Sequence, residues 1–234
     1  MKEIQTFDNF ITDSRSEEII DELKDLRFDP GASLSPLIIH GRSGVGKSHL
    51  CQAIRNEWDD AVVYSAEEMK TLLLKEIAGK LNKDDFFGKF ADHNVIIDDA
   101  HLFMFQTEVI NFNGELICFS WDAVQDLIAE LIIRQRENDF YVLLVFDESF
   151  RFDRFNDVMR IVLQIGEVFH LSAPERKARV RYCKDRLMKQ KISLSDEEAG
   201  FFVDAWGSTI PRIDSAIKTI LAKKQFRNDG GICK

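Results

Sequence analysis

Gly41, Gly46, Lys47 and Ser48 fall at the spacing G-x-x-x-x-G-K-S within GRSGVGKSHL, residues 41–50. Glycine lacks a Cβ, so the backbone N–H groups of such a loop turn inward together, and a helix opening directly behind it adds the partial positive charge of its N-terminus. The chemistry served is the holding of a polyphosphate. Lys47 would reach the β- and γ-phosphates, and the Ser48 hydroxyl would ligate Mg²⁺. The candidate cradle comprises Gly41, Ser43, Gly44, Val45, Gly46, Lys47, Ser48 and His49. Further along, HNVIIDDAH ends an apolar run in two carboxylates, Asp98 and Asp99. A carboxylate at a strand tip beside the loop is positioned to meet the metal ion. Asp98 is expected to hold Mg²⁺ through water, and Asp99 to orient or deprotonate an attacking water. A glycine-rich turn with an exposed lysine, or two acids in a solvated turn, would leave the same letters. The context separates the readings.

That context is a strand before the loop and a helix after it. Leu37, Ile38 and Ile39 form a short apolar run behind Pro36, and Leu50, Ala53, Ile54 and Trp58 recur at helical spacing. From there to residue 171 short apolar runs alternate with longer periodic segments, the signature of an α/β fold with a parallel sheet. Strands are expected at 37–39, 61–64, 94–98, 141–146 and 168–171, with helices at 66–80, capped by Ser65, and at 121–138. Beyond Ala173 three helical segments follow, at 174–190, 195–206 and 208–224. In the last, Ile210, Ile213, Ile217, Ile220 and Leu221 make an apolar stripe for packing. The expected organisation is a P-loop NTPase core of five parallel strands over residues 1–172 and a small all-helical lid over 173–234.

Asn113-Gly114 between apolar runs predicts a hairpin over 108–119 with a type I′ turn, extending the fold's edge or protruding as a partner-binding element. The chain carries a net charge of −9, which disfavours broad nonspecific DNA binding. Residues 174–191 reverse it locally, with a net of +6 that leaves −15 for the rest. Such a segment is either a solvated helix face or a nucleic-acid contact. No apolar run approaches the ~18 residues of a membrane span, and MKEIQTFDNF is too polar for a signal peptide. A cytoplasmic protein with no membrane contact is expected. Cys51, Cys118, Cys183 and Cys233 lie far apart, without the paired spacing of a zinc site, and read as free thiols.

These motifs, together with the opening TFDNFI, resemble the AAA+ ATPase core of the bacterial replication initiator DnaA and its short relative Hda. The strongest pieces are TFDNF, SPLIIHGRSGVGKSHLCQAI, VVYSAEEM and VIIDDAH. The resemblance implies an ATP- or ADP-binding protein with Mg²⁺, expected to be a weak ATPase. It makes Phe7, Phe10 and Ile11 candidate contacts on the adenine side, with core packing the other role open to them. It also makes the C-terminal helices a lid. Three departures stand out. The polar sensor near the tip of the fourth strand is reduced to Asp147 or Ser149, in VLLVFDES. The family's L-R-S-R-F-x-x-G reads MRIVLQIG, so that Arg160 stays while the arginine that reaches a neighbouring subunit's ATP is replaced by Val162. The lid arginine falls on Pro211, with Arg212 one position later, a rotation of about 100° on a helix.

The implied function is an accessory or regulator of replication initiation that acts through nucleotide-dependent contact with another AAA+ protein, a DnaA-like initiator. The sliding clamp or replicative helicase are further candidate partners, a homo-oligomer is possible in kind, and direct DNA binding is weak or absent. Nothing corresponds to the initiator's DNA-binding helix-turn-helix domain. Two other readings stay open: a helicase loader whose basic helix touches single-stranded DNA, and a nucleotide-dependent scaffold that hardly hydrolyses ATP. A small-molecule kinase would need a lid rich in catalytic arginines, which this sequence does not show.

Overall fold

Short β-branched runs bounded by turn residues become the strands of this computed structural model. It describes residues 4–26, 32–58, 60–77, 81–104, 107–112, 114–207 and 209–229. The strands are β1 (Leu37–His40), β2 (Ala61–Ser65), β3 (Asn94–Asp98), β4 (Thr107–Phe112), β5 (Glu115–Ser120), β6 (Val142–Phe146) and β7 (Glu167–His170). Five of them form one all-parallel sheet in the order β2-β3-β6-β1-β7. Parallel strands covered on both faces read as continuous apolar runs. All five residues of β6 are buried, as are Leu37, Ile38 and Ile39 of β1.

The helices are α1 (Ser14–Asp25), α2 (Lys47–Glu57), α3 (Ala66–Ile77), α4 (Lys83–Gly88), α5 (Trp121–Glu137), α6 (Asp157–Gln164), α7 (Arg176–Met188), α8 (Asp196–Trp206) and α9 (Ile210–Asp229). The chain divides into two compact units: residues 1–10, 19–43 and 47–171, and residues 11–18, 44–46 and 172–234. The first unit's core gathers Ile38, Ile97, Leu144 and Phe146 from the sheet with Trp121, Ile128 and Ile132 from α5 and Phe86 and Phe90 from the α4 region. In the second, Cys183, Leu187, Val203, Ile213 and Ile217 are packed together. Ile220, expected in that stripe, is instead 41% exposed.

Capping fixes several helix starts. Ser65 Oγ accepts from Glu68 N at 3.2 Å while Glu68 returns the bond to Ser65 N at 2.8 Å, so β2 turns into α3 through a capping box. Ser195 and Glu198 do the same for α8. The β4–β5 pair is an antiparallel hairpin with Phe112 opposite Glu115, and it forms a two-stranded sheet of its own. Gly114 has φ +92°; Asn113, the other residue of the expected turn, lies outside the described residues. The free thiols Cys51 and Cys183 are buried, and Cys118 and Cys233 fall outside the described side chains.

At the start of β7 the backbone leaves no room for a side chain. A Cβ on Gly166 would lie 2.0 Å from the Pro36 carbonyl oxygen, and Pro36 O also accepts from Glu167 N at 3.1 Å, which locks β7 against β1. Gly166→Ala is expected to cost about 2–3 kcal/mol through backbone displacement, or roughly 4–12 °C of Tm. Gly88→Ala, with open space around it, should be neutral or slightly stabilising. Thermal melts of the two variants check the contrast; equal Tm values would show that the β1–β7 junction is not rigid.

Candidate functional site

β1 leads straight into the glycine loop. A Cβ on Gly41 would lie 2.1 Å from Leu171 O, and Leu171 N donates to His40 O at 2.8 Å, so the chain leaves the sheet at a point only glycine can pass. Gly44 and Gly46 follow with φ of +80° and +114°, in the region that L side chains rarely adopt. α2 then begins at Lys47. The Lys47 ammonium donates to the carbonyls of Gly41 at 2.7 Å and Arg42 at 3.0 Å. Burial pulls its pKa below the ordinary lysine value, against the opposing pull of Asp98, Asp147 and Asp99. Ser43 and Ser48 are exposed, while Val45 is buried.

The TFDNF segment runs along α2. Phe7 N donates to Glu57 Oε1 at 2.8 Å, and Asn56 Nδ2 donates to Gln5 O at 2.7 Å. Phe7 is buried in the core, only 3% exposed. Phe10 is half-buried, with its ring edge-on to His49 at 5.2 Å. The His49 Nε2 in turn lies 3.0 Å from Thr6 O, so His49 anchors the N-terminal segment. Ile11 is half-buried and groups with the second unit. Arg212, in the first turn of α9, is an exposed residue of that unit.

The carboxylates stand at the same end of the sheet as the loop, because every strand of a parallel sheet ends on one side. Asp98 is the last residue of β3, and its Oδ1 accepts from Asp99 N at 2.9 Å. Asp99 has φ +59° and is exposed. The chain then enters a 3₁₀ turn, Ala100–Met104, closed by Leu102 N donating to Asp99 O at 3.1 Å. The buried Gln125 of α5 holds this turn, donating to Phe103 O at 2.7 Å while accepting from Asn156 N at 2.7 Å. Asn156 caps α6 by accepting from Met159 N.

A third carboxylate joins them. Asp147, just past β6, accepts from Ser149 N at 2.8 Å and Ser149 Oγ at 2.5 Å. Burial would push its carboxyl up, but those two bonds, with the charges of His101 and Lys47, hold it below the usual range. The two residues offered for the polar sensor are thus bonded to each other. His40, at the end of β1, lies 4.9 Å from the His170 ring; burial first, then His170, Arg151 and Lys47, depress its pKa. Sequence reading did not single out His40, His101 or the coupling of Asp147 to Lys47. Only the parallel register brings these loop residues to one end.

Arg160 is bound to Asp157 at 2.6 Å. Val162 is 5% exposed, inside the core. The basic segment is largely matched from within. Arg176 makes a bidentate pair with Asp204 at 2.8 and 2.7 Å, Lys184 pairs with Asp196, and Arg186 lies 3.5 Å from Asp214. Arg179 and Arg181 donate to the carbonyls of Pro174 and Thr12. Among the described residues no cluster of three His, Cys, Asp or Glu is placed to hold a metal ion by itself, and no helix is long and apolar enough to cross a membrane.

A five-stranded parallel sheet with a glycine loop between β1 and the next helix, and acids at the tips of β3 and β6, defines a P-loop NTPase fold of the AAA+ type. The model of the bacterial DnaA ATPase domain matches residues 1–121 of the 234, and the chain belongs to that family. It is similar to the chromosomal replication initiator protein DnaA of Mesoplasma florum, at 30% identity over 148 residues, covering 53% of this chain and 32% of that one. Domain III of the Thermotoga maritima replication initiation protein DnaA superposes with a TM-score of 0.72 at 21% identity, covering 98% of this chain and 92% of that domain. A DnaA structure bound to AMPPCP and single-stranded DNA superposes with a TM-score of 0.75 at 18% identity, over 97% of this chain and 68% of that one. The chain spans about half or less of the length of the curated relatives it matches.

Proposed function

We propose that this chain binds ATP or ADP with Mg²⁺ and acts as an accessory or regulator of DNA replication initiation, through nucleotide-dependent contact with another AAA+ protein. The observation that carries the reading is the convergence of the glycine loop, Lys47 and three carboxylates at one end of the sheet. Asp98, Asp147 and Asp99 all act on the Lys47 charge. The residues fit a magnesium nucleotide: Gly44 and Gly46 stand at positive φ, α2 starts at the lysine, and Ser48, an exposed residue with a hydroxyl, stands beside it. The bound ion would supply charge neutralisation between the phosphates. Ser48 and Asp98 would hold it, with water completing its shell. Mg²⁺ is commonly bound by few protein oxygens, which agrees with the lack of a self-sufficient cluster among the described residues.

Within that reading Asp99 accepts a hydrogen bond from the attacking water and orients it. Asp99→Asn is expected to leave ATP affinity within about twofold while lowering turnover by ~10²-fold, the lower range for a positioned acid–base group. Single-turnover phosphate release checks this; equal rates would remove Asp99 from the water-positioning role. The regulator reading is favoured over a helicase loader by the basic segment, where Arg176, Arg179, Arg181, Lys184 and Arg186 are engaged by acceptors of the chain itself. A scaffold that hydrolyses little is favoured by the buried Val162, since an arginine supplied in trans contributes ~10³-fold or more in phosphoryl transfer. Affinity capture from native extract, run with ATP and with ADP, selects among these: recovery of an initiator with one nucleotide only supports the regulator, and recovery of a helicase supports the loader.

A further inference from the structure

His101 is the one side chain among the described residues that pairs with the Asp99 carboxylate, its Nδ1 lying 3.9 Å from Asp99 Oδ1. That nitrogen is buried and has no hydrogen-bond partner in this state, an arrangement that costs stability and that an acceptor within reach would relieve. The 3₁₀ turn Ala100–Met104 sets the ring beneath the carboxylate, and Gln125 fixes that turn. Asp99 itself is two-thirds exposed, with its side-chain oxygens held by no backbone N–H. A carboxylate so loosely held is a poor orienter of water.

We propose that His101 is a positioning residue for Asp99: its ring donates Nδ1–H to one carboxylate oxygen and leaves the other free to accept from the attacking water. The separation of 3.9 Å exceeds a hydrogen bond, and a small rotation of the exposed Asp99 side chain closes it. Asp147 also acts on His101 and its Oδ1 accepts from Ser149 N and Oγ, but the carboxylate oxygen that pairs with the ring nitrogen is Asp99 Oδ1. The proposal rests on the reading of Asp99 as the residue that holds the water.

The test begins on the ligand-free full chain, with ¹⁵N NMR of the histidine rings at a pH where His101 is neutral. The Nδ1–H tautomer is expected to dominate at His101, to give way to Nε2–H in Asp99→Ala, and to persist in Asp147→Ala. A dominant Nε2–H tautomer in the unmodified chain, or one indifferent to Asp99→Ala, overturns the pairing. Kinetics follow: His101→Ala should lower kcat by ~10-fold or more, the effect of losing a hydrogen bond to a charged group, with KM for ATP unchanged. His101→Asn, whose amide N–H stands near Nδ1, should recover most of the loss. Equal losses in Ala and Asn variants overturn the positioning role. If Lys47→Ala leaves ATP affinity intact, the nucleotide reading fails, while the tautomer measurement still decides whether His101 serves Asp99.

Discussion

Lys47→Ala is expected to remove measurable binding of ATP and ADP, with affinity falling by about 100-fold or more. The ammonium now donates to the Gly41 and Arg42 carbonyls, acceptors that water can replace at a half-exposed loop. The triphosphate is where the charge is needed. Removing Lys47 leaves Asp98, Asp99 and Asp147, which all act on that one cation, facing further negative charge. A hydrogen bond to a charged group contributes up to about 3 kcal/mol, or about 100-fold in affinity, and the uncompensated carboxylates add to the loss. Titration calorimetry with Mg²⁺ present, alongside thermal melts, checks it: nucleotide at 100 times its Kd should stabilise the unmodified chain by about 2.7 kcal/mol and the variant by nothing detectable. Undiminished affinity in Lys47→Ala would refute the cradle.

The second large effect concerns Val162, which stands where the resemblance implies an arginine. Val162→Arg is expected to destabilise the core, not to restore activation between subunits. Val162 is 5% exposed among Met159, Leu163 and the α5 side chains, so a guanidinium there would be buried without a partner, at about 3–5 kcal/mol. The expected fall in Tm is roughly 6–20 °C, with no gain in ATP turnover as protein concentration rises. Ile161, one position earlier and rotated by about 100°, is 62% exposed, so Ile161→Arg should shift Tm by less than about 2 °C. A Val162→Arg variant that melts normally and turns over ATP faster on self-association would show that α6 repacks to present position 162 outward.

Much of the core could be read from letters because its signals are local. The five strands lie within a residue or two of their expected bounds, since each is an apolar run closed by turn residues. Ser65 and Ser195 announced their helices because a cap and its glutamate sit three residues apart. Other helices left weaker traces. The six residues of α4 are too few to display a period. In α6 the apolar residues share one broad face, but the helix has only eight residues, and of that face Met159, Val162 and Leu163 are buried while Val158 and Ile161 at its margin stay exposed. α1 is mostly charged, with Ile20 and Leu23 carrying its buried face.

The sequence by itself determined the loop, its lysine and hydroxyl, and the paired acids, because a phosphate cradle needs glycines, a lysine and a helix start within one short stretch, and nothing distant enters that requirement. Tertiary structure alone decided which other residues join them. Asp147, past β6, comes to Lys47, past β1, through the parallel register of these strands with β3, and the 3₁₀ turn after β3 folds His101 back towards Asp99. It also decided that Val162 faces inward and that the basic helix spends its charges on its own chain. Burial and pairing depend on what the rest of the chain brings within a few ångströms, and sequence spacing does not encode that distance.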